Sequence, residues 1–307
     1  MTETTTQSTG KQQNDRLMRL ATYASVTVAC VLIASKFVAW IYTDSVSLLS
    51  TLIDSVLDVA ASMVNLIAVH HSLQPADHEH RFGHGKAEAL SGLAQAAFIS
   101  GSAAFLLIEA VQRMFEPKLI ENTEIGYAVM VFSIVLTLLL VAFQRYVVRR
   151  SGSVAISADS LHYQTDVLIN LSVIVSLAVV SIFDLPMVDP LIALAIVFYI
   201  VRGAIKIGLD SLNILMDREL SNDDREKINA LVLDVDGVLG VHDLRTRSSG
   251  SQVFIQMHVE MDGQIPLSQA HEIADRVEHV VNQAYPMAEV IVHEDPEGLA
   301  EHHADFS

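Results

Sequence analysis

Leu48-Leu49-Ser50-Thr51-Leu52-Ile53-Asp54-Ser55-Val56-Leu57-Asp58 sets two carboxylates four residues apart inside a run that is otherwise apolar from about residue 46 to residue 70. Positions i and i+4 share one face of a helix. At mid-bilayer a carboxylate facing lipid costs upward of about 2.5 kcal/mol, so two of them need a compensating partner. The surroundings say that a bilayer is the right setting. About 20 mainly apolar residues span the hydrocarbon core as a helix, and six such stretches occur, near 18–42, 46–70, 88–112, 125–148, 153–181 and 187–207. The chain as a whole is 51% hydrophobic and only 18% charged over its 307 residues, with a mean hydropathy of +0.40. That is too apolar for an ordinary soluble protein.

Asp44, Pro75 to Lys86, Glu116-Pro117-Lys118, Arg149-Arg150 and Asp184-Leu185-Pro186 supply the charges and prolines that close helices between the stretches. Ten basic residues lie in the N-terminal segment, the second and fourth loops and the exit from the sixth span, against only Arg113 and Lys118 in the other loops. The bias toward basic residues on the cytoplasmic side therefore places both termini in the cytoplasm. Residues 1–16, polar and without the apolar core of a cleavable signal, read as a disordered tail. Residues 17–209 form the transmembrane domain. After it the charge changes: Ile207 to Ser307 holds 20 acidic against 6 basic residues, so residues 210–297 read as an acidic cytoplasmic domain and 298–307 as a C-terminal tail. A formal charge of −17 excludes nucleic acid as a partner, because phosphate binding needs a surplus of Lys and Arg. The natural partners of such a chain are cations. With one cysteine, Cys30, no multi-thiolate site can form, so any metal is held by carboxylate and imidazole.

The fifth stretch repeats the spacing of the second as His162-Tyr163-Gln164-Thr165-Asp166. Two helices facing each other would present two ligands apiece, and Asp54, Asp58, His162 and Asp166 make an oxygen and nitrogen set suited to tetrahedral Zn²⁺. The ion would cancel charges that lipid cannot. A plainer reading has the carboxylates lining a wet crevice or bonding to neighbouring helices. Asp159, one turn before His162, either joins that cavity or supports it from behind. Between spans two and three, Asp77, His80 and His84 offer three ligands within eight residues on a glycine-containing loop. His70 and His71 end the second span and read as complements to a helix C-terminus.

Beyond Asp217 the pattern shortens. Asp223 to Asp234 has helical spacing, Val241 to Arg247 and Gln252 to Met261 alternate as strands, Leu267 to Ala284 is again helical, and Glu289 to His293 is a last strand. The order αββαβ suggests a small ferredoxin-like α+β domain. Along the second strand Val253, Ile255, Met257 and Val259 form the core face, which leaves His258 on the opposite one.

Six spans, Asp54-x-x-x-Asp58, His162-x-x-x-Asp166 and the loop Asp77-His78-Glu79-His80-Arg81-Phe82-Gly83-His84-Gly85-Lys86 together resemble the cation diffusion facilitators, and among them the bacterial zinc exporters. The resemblance implies a homodimeric zinc and proton antiporter of the inner membrane, with the four span residues as transport site and Asp77, His80 and His84 as a second metal site. It further implies a binuclear zinc site carried by His242, His258, His271, His293 and Asp295, and a Lys86 to Asp217 pair near the dimer interface. Cd²⁺, Fe²⁺ and Mn²⁺ share oxygen and nitrogen sites with Zn²⁺ and stand as alternative cargo. Two rivals remain at this point. A membrane metallohydrolase would keep an open metal position for water, but no H-E-x-x-H helix occurs. A zinc sensor signalling through the cytoplasmic domain would leave the charged pairs in the spans without a purpose.

Overall fold

The structure, a computed structural model, describes residues 2–43, 46–115, 124–183, 188–286 and 288–298. Within these helices the side chains of 2–11, 43, 46–51, 53, 54, 113, 124–127, 173, 176–178, 180–183, 188 and 189 lie outside the described set, and Asp54 is among them. The expected C-terminal tail, residues 299–307, falls outside the described residues as well. The chain divides into two units, Met1–Leu212 and Asn213–Ser307.

Six long helices make the first unit: α1 Thr2–Thr43, α2 Val46–Ser72, α3 Lys86–Phe115, α4 Glu124–Ser151, α5 Val154–Phe183 and α6 Val188–Leu215. A helix occupies each of the six apolar stretches. Its polarity is inverted relative to a water-soluble bundle. Val31, Phe37, Ile67, Phe105, Leu139 and Phe198 are exposed, whereas Ser25, Ser62, Gln95, Thr137, Gln144 and Ser211 are buried. Lipid explains both halves of the pattern: apolar side chains lose nothing by facing it, and polar groups must find partners inside. Among the described residues four helices are long and apolar enough to cross a membrane, within α1, α3, α4 and α6.

Composition reads residues 1–16 as a tail; α1 is described from Thr2 onward. Extending an existing helix avoids the unfavourable nucleation step, and the Asn14 side chain donates a hydrogen bond at 3.2 Å to the backbone carbonyl of Arg150 at the end of α4.

Around α5 two packing groups meet. Met18, Ala21, Val69, Val147, Ala155 and Ile156 join α1, α2, α4 and α5. On its other side, Ala158 and Leu161 pack with Ala96, Ile99 and Ala103 of α3 and Ile196, Ile200 and Ala204 of α6. The second contact depends on Gly203, where a Cβ would meet Leu161 Cδ2 at 2.7 Å. A bare backbone at that point lets α6 lie against the residue preceding His162.

The second unit holds α7 Asn222–Leu233, β1 Gly240–Ser249, β2 Gln252–Met261, α8 Leu267–Ala284 and β3 Ala288–Pro296. The strands stand in the order β1-β2-β3, the first pair antiparallel and the second parallel. A parallel neighbour needs a crossover, and α8 supplies it. Ile228 and Val232 of α7, Ile273, Val277 and Val281 of α8, and Ile255, Met257, Val259 and Met261 of β2 fill one core. The helices therefore cover one face of the sheet and leave the other, with His258, free for chemistry. Ser221 caps α7 by accepting the Asp224 N–H at 3.1 Å, as the Ser-x-x-acid spacing anticipates.

Candidate metal centres

Two donors bound to one tetrahedral zinc at 2.0–2.2 Å lie about 3.4 Å apart. Three groups of side chains meet that spacing to within the small adjustments a bound ion would bring, and in each the donor atoms lie within 4.8 Å of one another.

The first lies between α2 and α5. His162 Nε2 is 3.0 Å from Asp58 Oδ1 and 4.0 Å from Asp166 Oδ2. Asp54 sits one turn before Asp58 on α2, its side chain outside the described set. His162 is buried, with Phe98 edge-on to its ring at 5.7 Å. Asp159 does not ligate with them. Its Oδ2 accepts from Ser25 Oγ at 2.7 Å and from Gln144 Nε2 at 2.7 Å, in a network that continues from Ser25 to Ser62 at 3.1 Å and from Ser62 to the Tyr163 hydroxyl at 2.8 Å. These bonds tie α1, α2, α4 and α5 together directly beside the ligands. The sequence gives no periodic signal for them, since isolated Ser, Gln and Tyr in apolar runs are common.

The second group is the loop between α2 and α3. Asp77 Oδ1 accepts the backbone N–H groups of Glu79 at 2.9 Å and His80 at 2.6 Å. The His80 N–H foremost, with help from the Glu79 N–H and the nearby His84 and His80 rings, holds the Asp77 carboxyl below the usual carboxylate range against the opposing effect of desolvation. Gly83, at φ 75°, turns the chain back so that His84 Nε2 stands 3.3 Å from Asp77 Oδ2 and His80 Nδ1 3.5 Å from Asp77 Oδ1.

The third group forms on the open face of the cytoplasmic sheet. His242 pairs directly with His258 across β1 and β2, and His258 with His293 across β2 and β3, so one row crosses all three strands. Asp295 closes it: Oδ2 is 2.8 Å from His258 Nδ1 and 3.3 Å from His242 Nε2, while Oδ1 is 3.1 Å from His293 Nε2. Sequence reasoning missed two neighbours, Glu260, 3.1 Å from His242 Nδ1, and Asp243, 3.9 Å from His258 Nε2. Asp243 has φ 48° at a register shift between His242 and Arg245. This bulge re-aims the side chain. His271 does not join the row. It lies on exposed α8 surface with Asp275 at 3.8 Å, because the core stripe of α8 turns that position to solvent. Asp217 is 3.3 Å from Arg247 within the same unit.

A model of the cation efflux transmembrane domain matches residues 22–216 and one of the cation efflux protein cytoplasmic domain matches 220–297. The chain belongs to the cation diffusion facilitator family. It is 47% identical over 92% of its length to the cation-efflux pump FieF of Serratia proteamaculans, covering 94% of that protein. The FieF of Pectobacterium carotovorum is 48% identical over 92% of this chain and 93% of its own. A solved structure of CzrB in its zinc form is 32% identical, covering 28% of this chain and 100% of that one, with a TM-score of 0.26. As a member of this family the chain is a multi-pass membrane transporter for divalent metal efflux, not an enzyme, with a cytoplasmic C-terminal α+β domain.

Proposed function

We propose that the protein exports Zn²⁺ from the cytoplasm in exchange for protons by alternating access. It would do so as a homodimer in a bacterial inner membrane, with six spanning helices, both termini cytoplasmic and a ferredoxin-like cytoplasmic domain. The observation that carries this reading is the approach of His162 Nε2 to Asp58 Oδ1 at 3.0 Å. A carboxylate can only accept, so at this contact a proton sits between nitrogen and oxygen, and the ion must displace it to use either atom. Metal leaving outward returns the site to protons. That competition couples the two fluxes. The transport set is Asp54, Asp58, His162 and Asp166; the loop set is Asp77, His80 and His84; the cytoplasmic set is His242, His258, His293 and Asp295, with His271 outside it in one protomer. The resemblance makes the cytoplasmic set binuclear: one ion would be held by His242, His258 and Asp295 Oδ2, whose donors converge, and His293 on Asp295 Oδ1 would serve a second.

Affinity order ranks Zn²⁺ above Fe²⁺ and Mn²⁺ at such sites, while Cd²⁺ shares the donor types. The test is Zn²⁺ flux into proteoliposomes under an imposed proton gradient. Flux that follows the gradient, disappears with Asp58→Ala or His162→Ala and survives a double change of His242 and His258 to Ala is the expected result. Gradient-independent flux would refute proton exchange; no flux in folded parent protein would refute transport itself and favour the alternative, a membrane-bound zinc sensor.

A further inference from the structure

The end of α2 carries a histidine that neither spacing nor resemblance brings into a metal site. The His71 ring lies 4.6 Å from that of His84, the same separation that His80 keeps from His84 on the other side of the loop. Two imidazoles on one tetrahedral zinc place their ring centres about 5 Å apart, given Zn–N bonds of 2.0–2.1 Å. The His71 ring therefore lies beside the set of Asp77, His80 and His84, at the separation that two ligating rings keep. Its tautomer also suits that role. His71 Nδ1 is 3.0 Å from Gln74 Oε1, an oxygen that accepts, so Nδ1 carries the proton and Nε2 keeps its lone pair. A ligating histidine commonly has its other ring nitrogen bonded to an oxygen in this way, which fixes both tautomer and ring orientation. The backbone supports the pairing, because the Gln74 N–H donates to the His71 carbonyl at 3.0 Å. Beside it, His84 is buried, and its Nδ1 has no hydrogen-bond partner among the described residues. That ring is positioned by packing and not by a protein acceptor.

We propose that His71 is the fourth protein ligand of the loop centre, which makes Asp77, His80, His84 and His71 a closed set of one oxygen and three nitrogens. This rests on the reading of Asp77, His80 and His84 as a zinc site. The tight set is those three; His71 adjoins it across His84 and would have to turn its ring toward the ion to join it. Two consequences follow. Four protein ligands leave no open position for water, so the centre retains its ion instead of passing it on. Because three ligands belong to the loop and one to α2, the ion also staples the last turn of the helix that carries Asp54 and Asp58.

The experiment uses the full chain in detergent with the other two centres removed by Asp58→Ala, His162→Ala, His242→Ala and His258→Ala. In that background one equivalent of Zn²⁺ is expected, abolished by Asp77→Ala. Adding His71→Ala should weaken Zn²⁺ tenfold or more, and should change the visible spectrum of the Co²⁺-loaded protein from the intense bands of four-ligand tetrahedral cobalt to weaker ones. His71→Phe keeps a ring against His84 and should lose as much affinity as His71→Ala. Unchanged affinity and Co²⁺ spectrum in His71→Ala, with Asp77→Ala still abolishing binding, would overturn the fourth ligand and leave the loop site intact. Affinity kept by His71→Phe but not by His71→Ala would overturn it too, in favour of packing alone. No Zn²⁺ bound in the background with His71 present would instead defeat the reading of the loop as a metal site.

Discussion

Replacing Tyr163 by Phe removes one hydroxyl from the middle of the helical unit, and the structure says what that hydroxyl does. Tyr163 is fully buried. Its hydroxyl donates to the Ser25 carbonyl at 3.3 Å and shares a hydrogen with Ser62 Oγ at 2.8 Å. Hydrogen bonds between helices in a bilayer average about 0.6 kcal/mol and reach about 1.7 kcal/mol. Two of them set a loss of about 1 kcal/mol or a little more, and one relaxation limits it. Ser62 has a single proton and a second acceptor in Ser25 Oγ at 3.1 Å, so in the variant it can turn there. Ser62→Ala alone should cost about as much, and the double variant less than the sum by about 0.5 kcal/mol, since one bond is counted in both singles.

The effect should reach the proposed transport site. Ser62 lies one turn beyond Asp58 on α2, and Tyr163 follows His162 on α5, so this bond sits beside the 3.0 Å contact of Asp58 with His162. If all of the lost stability is lost order at the site, zinc affinity falls by up to about fivefold, since 1.4 kcal/mol is tenfold. Reversible unfolding in mixed micelles gives the stabilities, and zinc titration of a variant lacking the loop and cytoplasmic ligands gives the affinity. Single effects that add to within about 0.3 kcal/mol, or a Tyr163→Phe protein as stable as the parent, would refute the reasoning.

Asp295→Asn should weaken zinc at the cytoplasmic row at least tenfold, because it takes away the charge that faces His242, His258 and His293 together; titration of the full chain carrying Asp58→Ala and Asp77→Ala checks this, and unchanged affinity would remove Asp295 from the ligands. Ser221→Ala should destabilise the cytoplasmic unit by about 1 kcal/mol through loss of the α7 cap, read from its unfolding midpoint in urea. The Ser221 hydroxyl first, and then the Tyr285 hydroxyl, hold the Asp224 carboxyl below the usual range, while burial and the Asp224 bond push the Tyr285 hydroxyl up to about 12. A depressed acid contributes stability above its unfolded-state pKa and loses it as pH falls through the folded value. Asp224→Asn should therefore flatten the loss of cytoplasmic-unit stability below about pH 4, and a curve as steep as the parent's would place that loss elsewhere.

The candidate pairs in the spans are legible in the sequence because an ionisable group in an apolar run has few reasons to exist, and the i, i+4 spacing says which face it shares. The open face of β2 was legible for a similar reason, since strict alternation fixed the side of His258 against Met257 and Val259. What stayed hidden depends on packing between segments. Nothing local marks Ser25, Ser62 and Gln144 as partners of Asp159 and Tyr163, because their bonds join residues of different helices. Asp243 escaped because a bulge breaks the alternation that strand reading relies on. The resemblance implies His271, which within one protomer lies on the exposed face of α8 beside Asp275. The first 16 residues carry the composition of a tail, while α1 is described from Thr2 and Asn14 contacts the end of α4.

The membrane and cytoplasmic centres gather the same residue types by different means, and the means suit different tasks. In a helix, two ligands four residues apart stand one turn from each other, so a compact site needs a second helix and inherits its geometry from side-chain packing between α2 and α5. Such packing can slide or tilt between discrete arrangements without breaking a backbone hydrogen bond. In the sheet, His242, His258 and His293 come one from each strand, directly opposed, and their spacing is set by the backbone ladder itself. To move one of them past another would break that ladder. A site whose ligands can be separated by helix movement can release its ion on the far side, whereas a site written into strand register holds its ion or loses it in place. On the proposed reading, transit would therefore belong to Asp54, Asp58, His162 and Asp166, and retention to the row on the sheet.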